Sequence, residues 1–411
     1  MLDRARRFYY SFDTNFWILA GGWFVAALGF ASSIPFISIY LHAEIGLTPS
    51  QIGLFFGAQA VVRAAFQAIG GEMSDRVGRR LLLVHSQTVR ALSCVLLGFA
   101  VGFHWGLWWM TALVTLNSIT GSVFMPAVNA LVSDLLPPHR RLDGYAVARS
   151  ASNLGWAVGP AIGGFLAKES YSLLFYISAA LMFASALIFR YYFKPPPLVA
   201  RVDKFKISDL LTIKDDSNLA WHAGLTGILY LVVAQLIAPF SVFAVEMAGI
   251  SESRLGILFT LNGAVVVAFQ ILVTRLLAKV HFTTQIAWGA FLYFIGYGMV
   301  GILIGFKYFV VAMLIVSFAE VVMSPASMTL TSHLAPKGRI GRYMGVRGFF
   351  ETAGWSLGPL YGGLFLDHFG KQPAVAWILI SSLALVAGVG YLVYGRILPR
   401  HFNIKGHIPQ S

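Results

Sequence analysis

Long apolar stretches, separated by short polar connections, run along almost the whole chain. A helix that spans a membrane needs about 20 predominantly apolar residues. By that measure the sequence predicts twelve spanning helices, at residues 17–41, 50–71, 80–103, 106–134, 143–167, 171–193, 220–245, 253–277, 283–305, 308–333, 342–366 and 373–396. The predicted fold class is therefore an all-α membrane protein.

The composition agrees with lipid as the solvent for much of the chain. Of the 411 residues, 57% are hydrophobic and 11% are charged, whereas soluble domains carry about 25% charged residues. A formal charge of +13 would suit a nucleic-acid partner. We reject nucleic acid because the basic residues lie in short connections between apolar runs, where membrane topology requires them. The single cysteine, Cys94, excludes an intrachain disulfide.

The distribution of Lys and Arg predicts the orientation of the helices. Connections on one side are rich in them, and the opposite side has only Lys168, Arg254, Lys307 and Lys371. Because cytoplasmic connections carry an excess of Lys and Arg, both termini are predicted to be cytoplasmic. Residues 1–16 lack the apolar core and cleavage site of a secretion signal, so the first apolar run should remain as a helix.

The connection between the second and third predicted helices carries a charged motif with fixed glycines. Its distinctive residues are Gly71, Asp75, Arg76, Gly78, Arg79 and Arg80. Their spacing resembles the signature loop between helices 2 and 3 of the major facilitator superfamily. An ordinary basic cytoplasmic loop would explain the arginines, but it would explain neither the aspartate nor the glycines.

The resemblance implies contacts that close the cytoplasmic side of a transporter in its outward-open state. Asp75 should meet the N-terminus of the eleventh helix near Gly341, where the helix dipole favours an anion. Arg79 should pair with Asp134 at the end of the fourth helix. The corresponding loop of the second half, at 274–280, lacks the aspartate and both glycines, which favours a switching role over a simple topology signal.

The two halves of the chain repeat each other. Residues 155–164 recur as residues 354–363, and a second block that begins at Gly53 recurs at Gly256. Residues 194–219 interrupt the apolar pattern with three consecutive prolines and many charges. We therefore predict two pseudo-symmetric six-helix bundles, at 1–193 and 220–411, joined by a cytoplasmic linker at 194–219. In such parallel repeats the substrate binds between the halves, near the membrane midplane.

A glycine-rich motif lies in the fifth predicted helix and recurs in the eleventh. Its residues are Gly155, Gly159, Pro160, Gly163 and Gly164, then Gly354, Gly358, Pro359, Gly362 and Gly363. The first copy resembles the antiporter motif of bacterial drug:proton antiporters, although Ala146 stands where their longer motif has a glycine. Because small residues let helices approach closely, the alternative is a packing surface between the halves, and the recurrence favours that alternative.

Ionisable side chains inside a membrane are costly and are therefore functional candidates by default. Glu320 and Glu351 lie near the centres of the tenth and eleventh predicted helices, and Arg63 lies near the centre of the second. We expect the two carboxylates to bind a proton or another cation. The other candidates for substrate or proton binding are Gln59, Gln67, Asn117, Arg149, Asn153 and Arg347.

Helical spacing connects several of these candidates. Gln59, Arg63 and Gln67 form a polar stripe at positions i, i+4 and i+8. Residues four apart can pair on one helix face, as Arg347 can with Glu351 and Arg149 with Asn153. The alternative is structural, because buried polar groups also hold helices together and long arginines can snorkel to the interface.

Two departures from the drug:proton antiporters weaken a standard scheme of proton coupling. Asn117 stands where their helix 4 motif has an arginine associated with proton transfer. The first predicted helix has no central carboxylate, although many such exporters carry one.

The sequence has no phosphate-binding Gly-x-x-x-x-Gly-Lys-Ser/Thr motif, no histidine set suited to a metal and no nucleophile motif. We therefore expect a transporter that is not an enzyme and needs no metal or cofactor. The resemblance implies proton-coupled efflux of small amphipathic molecules by a monomer in the bacterial inner membrane. The alternatives are an importer or facilitator for a sugar, organic anion or metallophore, and a non-transporting membrane sensor or scaffold.

Overall fold

The computed structural model of the chain describes residues 12–137, 140–194, 216–336 and 339–403. Side chains are described throughout these ranges except at 64, 67–77, 126, 133, 141–143, 146, 340 and 341. All regular structure within the described ranges is helical.

Six helices precede the predicted linker. They are α1 (Thr14–Ala43), α2 (Pro49–Val77), α3 (Arg79–Gly102), α4 (Leu107–Leu135), α5 (Arg141–Glu169) and α6 (Tyr171–Leu187), and α6 continues into a π turn at Ile188–Tyr192. Gly78 separates α2 from α3 with a φ of 97°, a conformation that favours glycine. This glycine of the loop motif therefore sets the turn between the two helices.

Six further helices follow the predicted linker, most of which lies outside the described residues. They are α7 (Ser217–Val233), α8 (Glu252–Leu276), α9 (Phe282–Val300), α10 (Phe306–Leu334), α11 (Ile340–Phe369) and α12 (Pro373–Ile397), with a final turn at Arg400–Asn403. The twelve predicted helices are thus confirmed within the described ranges. In eight of them, hydropathy and length alone are sufficient to span a membrane.

The seventh predicted span is confirmed at Ser217–Met247, but it is not a regular α-helix throughout. After α7, a 3₁₀ turn occupies Ala234–Leu236, and helical structure resumes at Pro239–Val242 and Phe243–Met247. Pro239 lacks a backbone N–H and disfavours helix in the residue before it. Gln235 bridges the break, because its Nε2 donates to the carbonyl oxygens of Leu231 at 2.6 Å and Gly358 at 2.8 Å.

Contacts between residues divide the chain into two compact units. The first unit comprises 1–37 and 58–201, and the second comprises 38–57 and 202–411. The second unit therefore includes the end of α1 and the start of α2. There the Ser50 N–H donates to the Asp367 carboxylate on α11 at 3.1 Å.

The predicted duplication is visible in how the helices pack within each unit. In the first unit α3 packs against both α4 and α6, and in the second α9 packs against both α10 and α12. The close approaches use small residues in both cases. A Cβ added to Gly98 of α3 would lie 2.3 Å from the Tyr176 ring, and one added to Gly289 of α9 would lie 2.6 Å from the Met323 side chain.

The glycine motif of α5 packs against α1 of its own unit. A Cβ on Gly155 would lie 2.8 Å from Ala27, one on Gly159 would lie 2.8 Å from Ala31, and one on Gly163 would lie 2.0 Å from the Ser32 carbonyl oxygen. The interpretation of this copy, from Gly155 through Pro160 to Gly164, as a surface between the halves is therefore wrong. The helix continues through Pro160, and its small residues bring two helices of one bundle together.

The second copy of the motif packs mainly against α7. A Cβ on Gly354 would lie 2.3 Å from the Gly227 carbonyl oxygen, and one on Gly358 would lie 2.6 Å from Ala234. Gly362 approaches the Gln235 amide closely, and α11 continues through Pro359. The last glycine, Gly363, instead faces the start of α2, where a Cβ would lie 2.3 Å from the Pro49 carbonyl oxygen.

Candidate functional site

A buried ion pair occupies the middle of α11 in the second unit. Arg347 Nη1 lies 2.7 Å from Glu351 Oε2, and the Arg347 Nε donates to Ser327 Oγ on α10 at 3.0 Å. The Arg347 side chain is 4% exposed and that of Glu351 is 29% exposed. The predicted pair is confirmed, and the partial exposure of Glu351 leaves this carboxylate reachable from outside the protein core.

Glu320, the other predicted carboxylate, lies half-buried on α10. Asn262 of α8 donates from Nδ2 to Ser317 Oγ at 3.0 Å and makes a longer contact of 3.5 Å with Glu320 Oε2. Both Glu320 and Glu351 lie close enough to act electrostatically on Tyr230 of α7. The fold therefore brings the two carboxylates into one environment, although they lie on different helices.

A buried polar cluster around His222 extends from the ion pair. The His222 Nε2 lies 2.9 Å from Thr331 Oγ1, and its Nδ1 lies 3.0 Å from the Tyr391 hydroxyl. That hydroxyl also lies 2.9 Å from Thr226 Oγ1. The backbone of Ser327, whose side chain accepts from Arg347, contacts the same histidine. His222 was not predicted from the sequence, because its partners come from helices that are distant in sequence.

Gln59 belongs to a helix contact that the duplication preserves. Its Nε2 donates to Thr115 Oγ1 at 2.8 Å and so joins α2 to α4. In the second unit Asn262, at the equivalent position of the repeat, donates to Ser317 and joins α8 to α10. Both amides are thus held within their own bundles, which supports the structural interpretation of Gln59.

The other members of the predicted polar stripe have different surroundings. Arg63 is exposed, and the side chain of Gln67 lies outside the described residues. On α5, Arg149 is exposed and Asn153 is half-buried, and the structure gives no hydrogen bond between these two described side chains.

Asn117 is buried on α4, and its main partner is an arginine that the sequence analysis overlooked. The Arg90 Nε of α3 donates to Asn117 Oδ1 at 3.3 Å, and the Asn117 Nδ2 donates to Ser93 Oγ at 3.1 Å. The Arg90 guanidinium also lies 4.8 Å from the centre of the Phe30 ring. An arginine in the middle of a predicted span was a sufficient signal by the rule for intramembrane charges.

The described part of the charged loop supports the expected contact at the end of α4. Arg79 forms a buried ion pair with Asp134, which confirms the expected pairing of these residues. Arg80 donates from Nε to the Phe189 carbonyl oxygen at 3.1 Å and also donates to the Arg190 carbonyl oxygen. The side chains of Gly71, Asp75, Arg76 and Gly341 lie outside the described residues, so the expected contact of Asp75 stays a prediction.

A family model matches almost the entire chain. The model described as Major Facilitator Superfamily matches residues 19–359 and 249–408. The chain belongs to the major facilitator superfamily. It is accordingly a multi-pass membrane transporter of small molecules and not an enzyme.

Curated bacterial members of the superfamily resemble this transporter along most of their length. An uncharacterized MFS-type transporter of Bacillus subtilis, YttB, is 27% identical over 90% of this chain and 93% of that protein. The quinolone resistance protein NorA of Staphylococcus aureus is 26% identical over 88% of this chain and 92% of that protein.

Solved transporter structures share the fold at low sequence identity. A bacterial homologue of the human lysosomal transporter Spinster, in its inward-facing and unoccupied conformation, matches with a TM-score of 0.75 and 15% identity, over 93% of this chain and 96% of that one. A peptide transporter, POT, in complex with sulfate matches with a TM-score of 0.76 and 15% identity, over 94% of this chain and 95% of that one. At these identities the similarity establishes the fold alone.

Proposed function

We propose that this transporter exports small amphipathic molecules, including drugs, in exchange for protons. The observation that carries the proposal is the placement of Glu320 and Glu351 in one environment beside Tyr230. Ionisable groups inside a membrane are functional candidates by default, and a carboxylate can bind and release a proton. The similarity to NorA, named for quinolone resistance, supports drugs as the substrate class.

The ion pair on α11 supplies a way to couple proton binding to helix movement. A proton on Glu351 would neutralise the group that attracts Arg347 across 2.7 Å. Arg347 would then be held by Ser327 alone, at 3.0 Å on α10. Protonation of Glu351 would therefore release Arg347 from its partner on α11, and the hydrogen bond from Arg347 to α10 would respond to that change. Such a contact with two arrangements is what a transporter needs to switch between conformations.

The same proposal includes the arrangement of the chain in the membrane. Two bundles, at 1–193 and 220–411, are joined by a cytoplasmic linker at 194–219, with both termini in the cytoplasm of a bacterium. The excess of Lys and Arg in the connections on that side supports this orientation. The transporter acts as a monomer in the inner membrane. Asp75 and the Arg79–Asp134 pair close its cytoplasmic side.

A second candidate function is transport of an organic anion. The specific observation that favours it is the positive charge of the first unit, where Arg63 is exposed on α2 and Arg90 is buried on α3. An anion carrier would use these arginines to bind its substrate. Replacing Arg63 with Glu would then abolish transport, whereas a cation exporter would change only its selectivity.

The proposal is tested with the purified transporter in proteoliposomes. Uptake of a panel of quinolones, lipophilic cations, sugars and organic anions is measured with and without an imposed pH gradient. We expect uphill transport of amphipathic drugs only when the gradient is present. Transport that ignores the gradient would refute proton coupling. Uphill transport of a sugar, or of hydrophilic organic anions alone, would refute the efflux of amphipathic molecules.

A further inference from the structure

Arg90 carries a charge that no described carboxylate of the first unit balances. The residue lies near the middle of α3 and is 5% exposed. The described carboxylates of this unit are Asp13, Asp134 and Glu169, which lie at or beyond helix ends, and none of them contacts Arg90. Asp134 is already paired with Arg79. Buried charges in membranes are normally paired. The Arg90 guanidinium, in contrast, has no counter-charge within the described part of the unit.

A second arginine strengthens the positive potential at this place. Arg63 of α2 is close enough to Arg90 for the two charges to repel each other. Arg63 is exposed whereas Arg90 is buried. The two arginines therefore place one positive charge at the surface of the unit and one in its interior. Both charges attract an anion.

Most hydrogen-bond donors of Arg90 remain available. A guanidinium has five N–H donors, and in the described chain only the Nε is used, on Asn117 Oδ1 at 3.3 Å. The group is held in place by the Phe30 ring at 4.8 Å and by Gly121, where a Cβ would lie 3.6 Å from Cζ. Its two terminal nitrogens therefore have a fixed position and no hydrogen-bond partner in the described chain. Their planar arrangement matches the two oxygens of a carboxylate.

An unsatisfied amide accompanies this arginine on the buried face of α3. Gln87 lies three residues before Arg90, so the two side chains share a helix face. Gln87 is 0% exposed, and neither its Nε2 nor its Oε1 has a hydrogen-bond partner in the described chain. Leaving such a group unpaired is costly, so a bound partner would stabilise it. Arg90 and Gln87 thus share a helix face, and both have hydrogen-bond donors without a partner in the described chain. A bound ligand with acceptor oxygens would supply those partners.

We propose that Arg90, supported by Gln87, binds a carboxylate carried by the transported molecule. The proposal rests on the proposed transport function and narrows its substrate class to amphipathic acids and zwitterions. Asn117 acts as a positioning residue, because it orients the guanidinium through Nε. Phe30 and the Cys94–Met182 contact supply apolar surroundings in the same bundle.

The proposal predicts a specific preference in binding, measured on the full-length transporter in detergent without any gradient. A quinolone carboxylate and its methyl ester serve as the two probes. Hydrogen bonds to charged groups contribute about 1.5–3 kcal/mol, so we expect the wild type to prefer the acid by about tenfold to hundredfold. The Arg90→Gln variant should bind the two probes equally.

A second variant tests the same site without removing the arginine. Asn117→Asp places a carboxylate of nearly identical shape against Arg90 and thereby supplies an internal counter-charge. We expect it to remain folded and to lose the preference for the acid. The matched control is Arg254→Gln, because Arg254 is an exposed arginine that lies 5.3 Å from the Phe306 ring. That variant should keep the preference of the wild type.

The outcomes separate this proposal from the proposed function. Equal binding of acid and ester by the wild type, or an unchanged preference in Arg90→Gln and Asn117→Asp, would overturn the carboxylate site. If Arg90→Gln does not fold, the folded Asn117→Asp variant decides by its preference alone. Because binding is measured without a gradient, a failure of proton coupling would leave the expected preference for the acid intact.

Discussion

The first unit holds Arg90 against Asn117 in the middle of α3, whereas the second unit holds Glu320 and Glu351 beside Tyr230. Around these charges the two units use the same construction. Each has a central helix packed against two others, a helix that approaches its neighbour through glycines, and an amide–hydroxyl contact between equivalent helices.

The two units retain the same helix packing but differ in their buried charges. Packing features recur because each bundle must bury its helices in the same way. Arg90, Glu320 and Glu351 are not repeated in the other unit, because a buried charge is costly and persists only where it has a use. The differences between the units are therefore the best guide to transport, and the similarities are the best guide to folding.

The largest effect should come from filling the glycine contacts that both units share. A Cβ at Gly163 would meet the Ser32 carbonyl oxygen at 2.0 Å, and one at Gly354 would meet the Gly227 carbonyl oxygen at 2.3 Å. Neither backbone atom can move aside, so Gly163→Val and Gly354→Val should each destabilise the protein by about 3 kcal/mol. Thermal unfolding of the detergent-solubilised protein measures this loss.

A neighbouring glycine offers a matched control for that experiment. Gly224 lies on α7, and nothing lies within 4 Å of a Cβ placed on it. Gly224→Ala should therefore leave stability unchanged or raise it by up to about 1 kcal/mol, since alanine favours helix. If Gly163→Val and Gly354→Val were as stable as wild type, these glycine contacts would not stabilise the packing within each unit.

The next effect concerns the ion pair that only the second unit contains. Glu351→Gln leaves the buried Arg347 without its partner, whereas Arg347→Gln leaves the carboxylate, which is 29% exposed. Breaking a fully buried pair costs about 3–5 kcal/mol. Because Glu351 is partly solvated, we expect about 2 kcal/mol for Glu351→Gln and less for Arg347→Gln.

The double variant sharpens this prediction. Replacing both Arg347 and Glu351 with Gln removes both charges, so its loss should be smaller than the sum of the single losses. The free energy of unfolding of all four proteins gives the coupling. Additive losses would mean that the 2.7 Å contact does not stabilise the second unit.

The smallest effect should come from the amide contact common to both units. Gln59→Leu removes the 2.8 Å hydrogen bond between α2 and α4. Asn262→Leu removes the 3.0 Å hydrogen bond between α8 and α10, together with the 3.5 Å contact with Glu320. A hydrogen bond of this kind contributes about 1 kcal/mol. Similar losses of unfolding free energy in the two variants would agree with a shared structural role, whereas an effect on transport confined to Gln59→Leu would give this residue a function.

Hydropathy predicted the helices well because lipid requires long apolar segments with internally satisfied backbones. The Arg347–Glu351 pair was also predictable, since both residues lie on one helix four positions apart. The irregular stretch after Val233 was missed, because length and hydropathy carry no information about local breaks in a helix. Pro239 alone is not a sufficient signal, since α5 and α11 continue through Pro160 and Pro359.

Contacts between helices were the part that the sequence could not supply. Nothing in local spacing joins Asn117 to Arg90, or His222 to Thr331 and Tyr391. The glycines of α5 were assigned to the wrong partner for the same reason, because small residues indicate a close approach without indicating which helix approaches. The contacts of Gly155 and Gly159 in the structure identify α1 as that partner.

The central claim is that the carboxylates of the second unit couple transport to protons. Proteoliposomes that contain wild type, Glu320→Gln or Glu351→Gln are given the same pH gradient, and both uphill drug transport and drug exchange at equal pH are measured. The account predicts that wild type accumulates drug and that each variant loses uphill transport while keeping exchange. Uphill transport retained by both variants would contradict it.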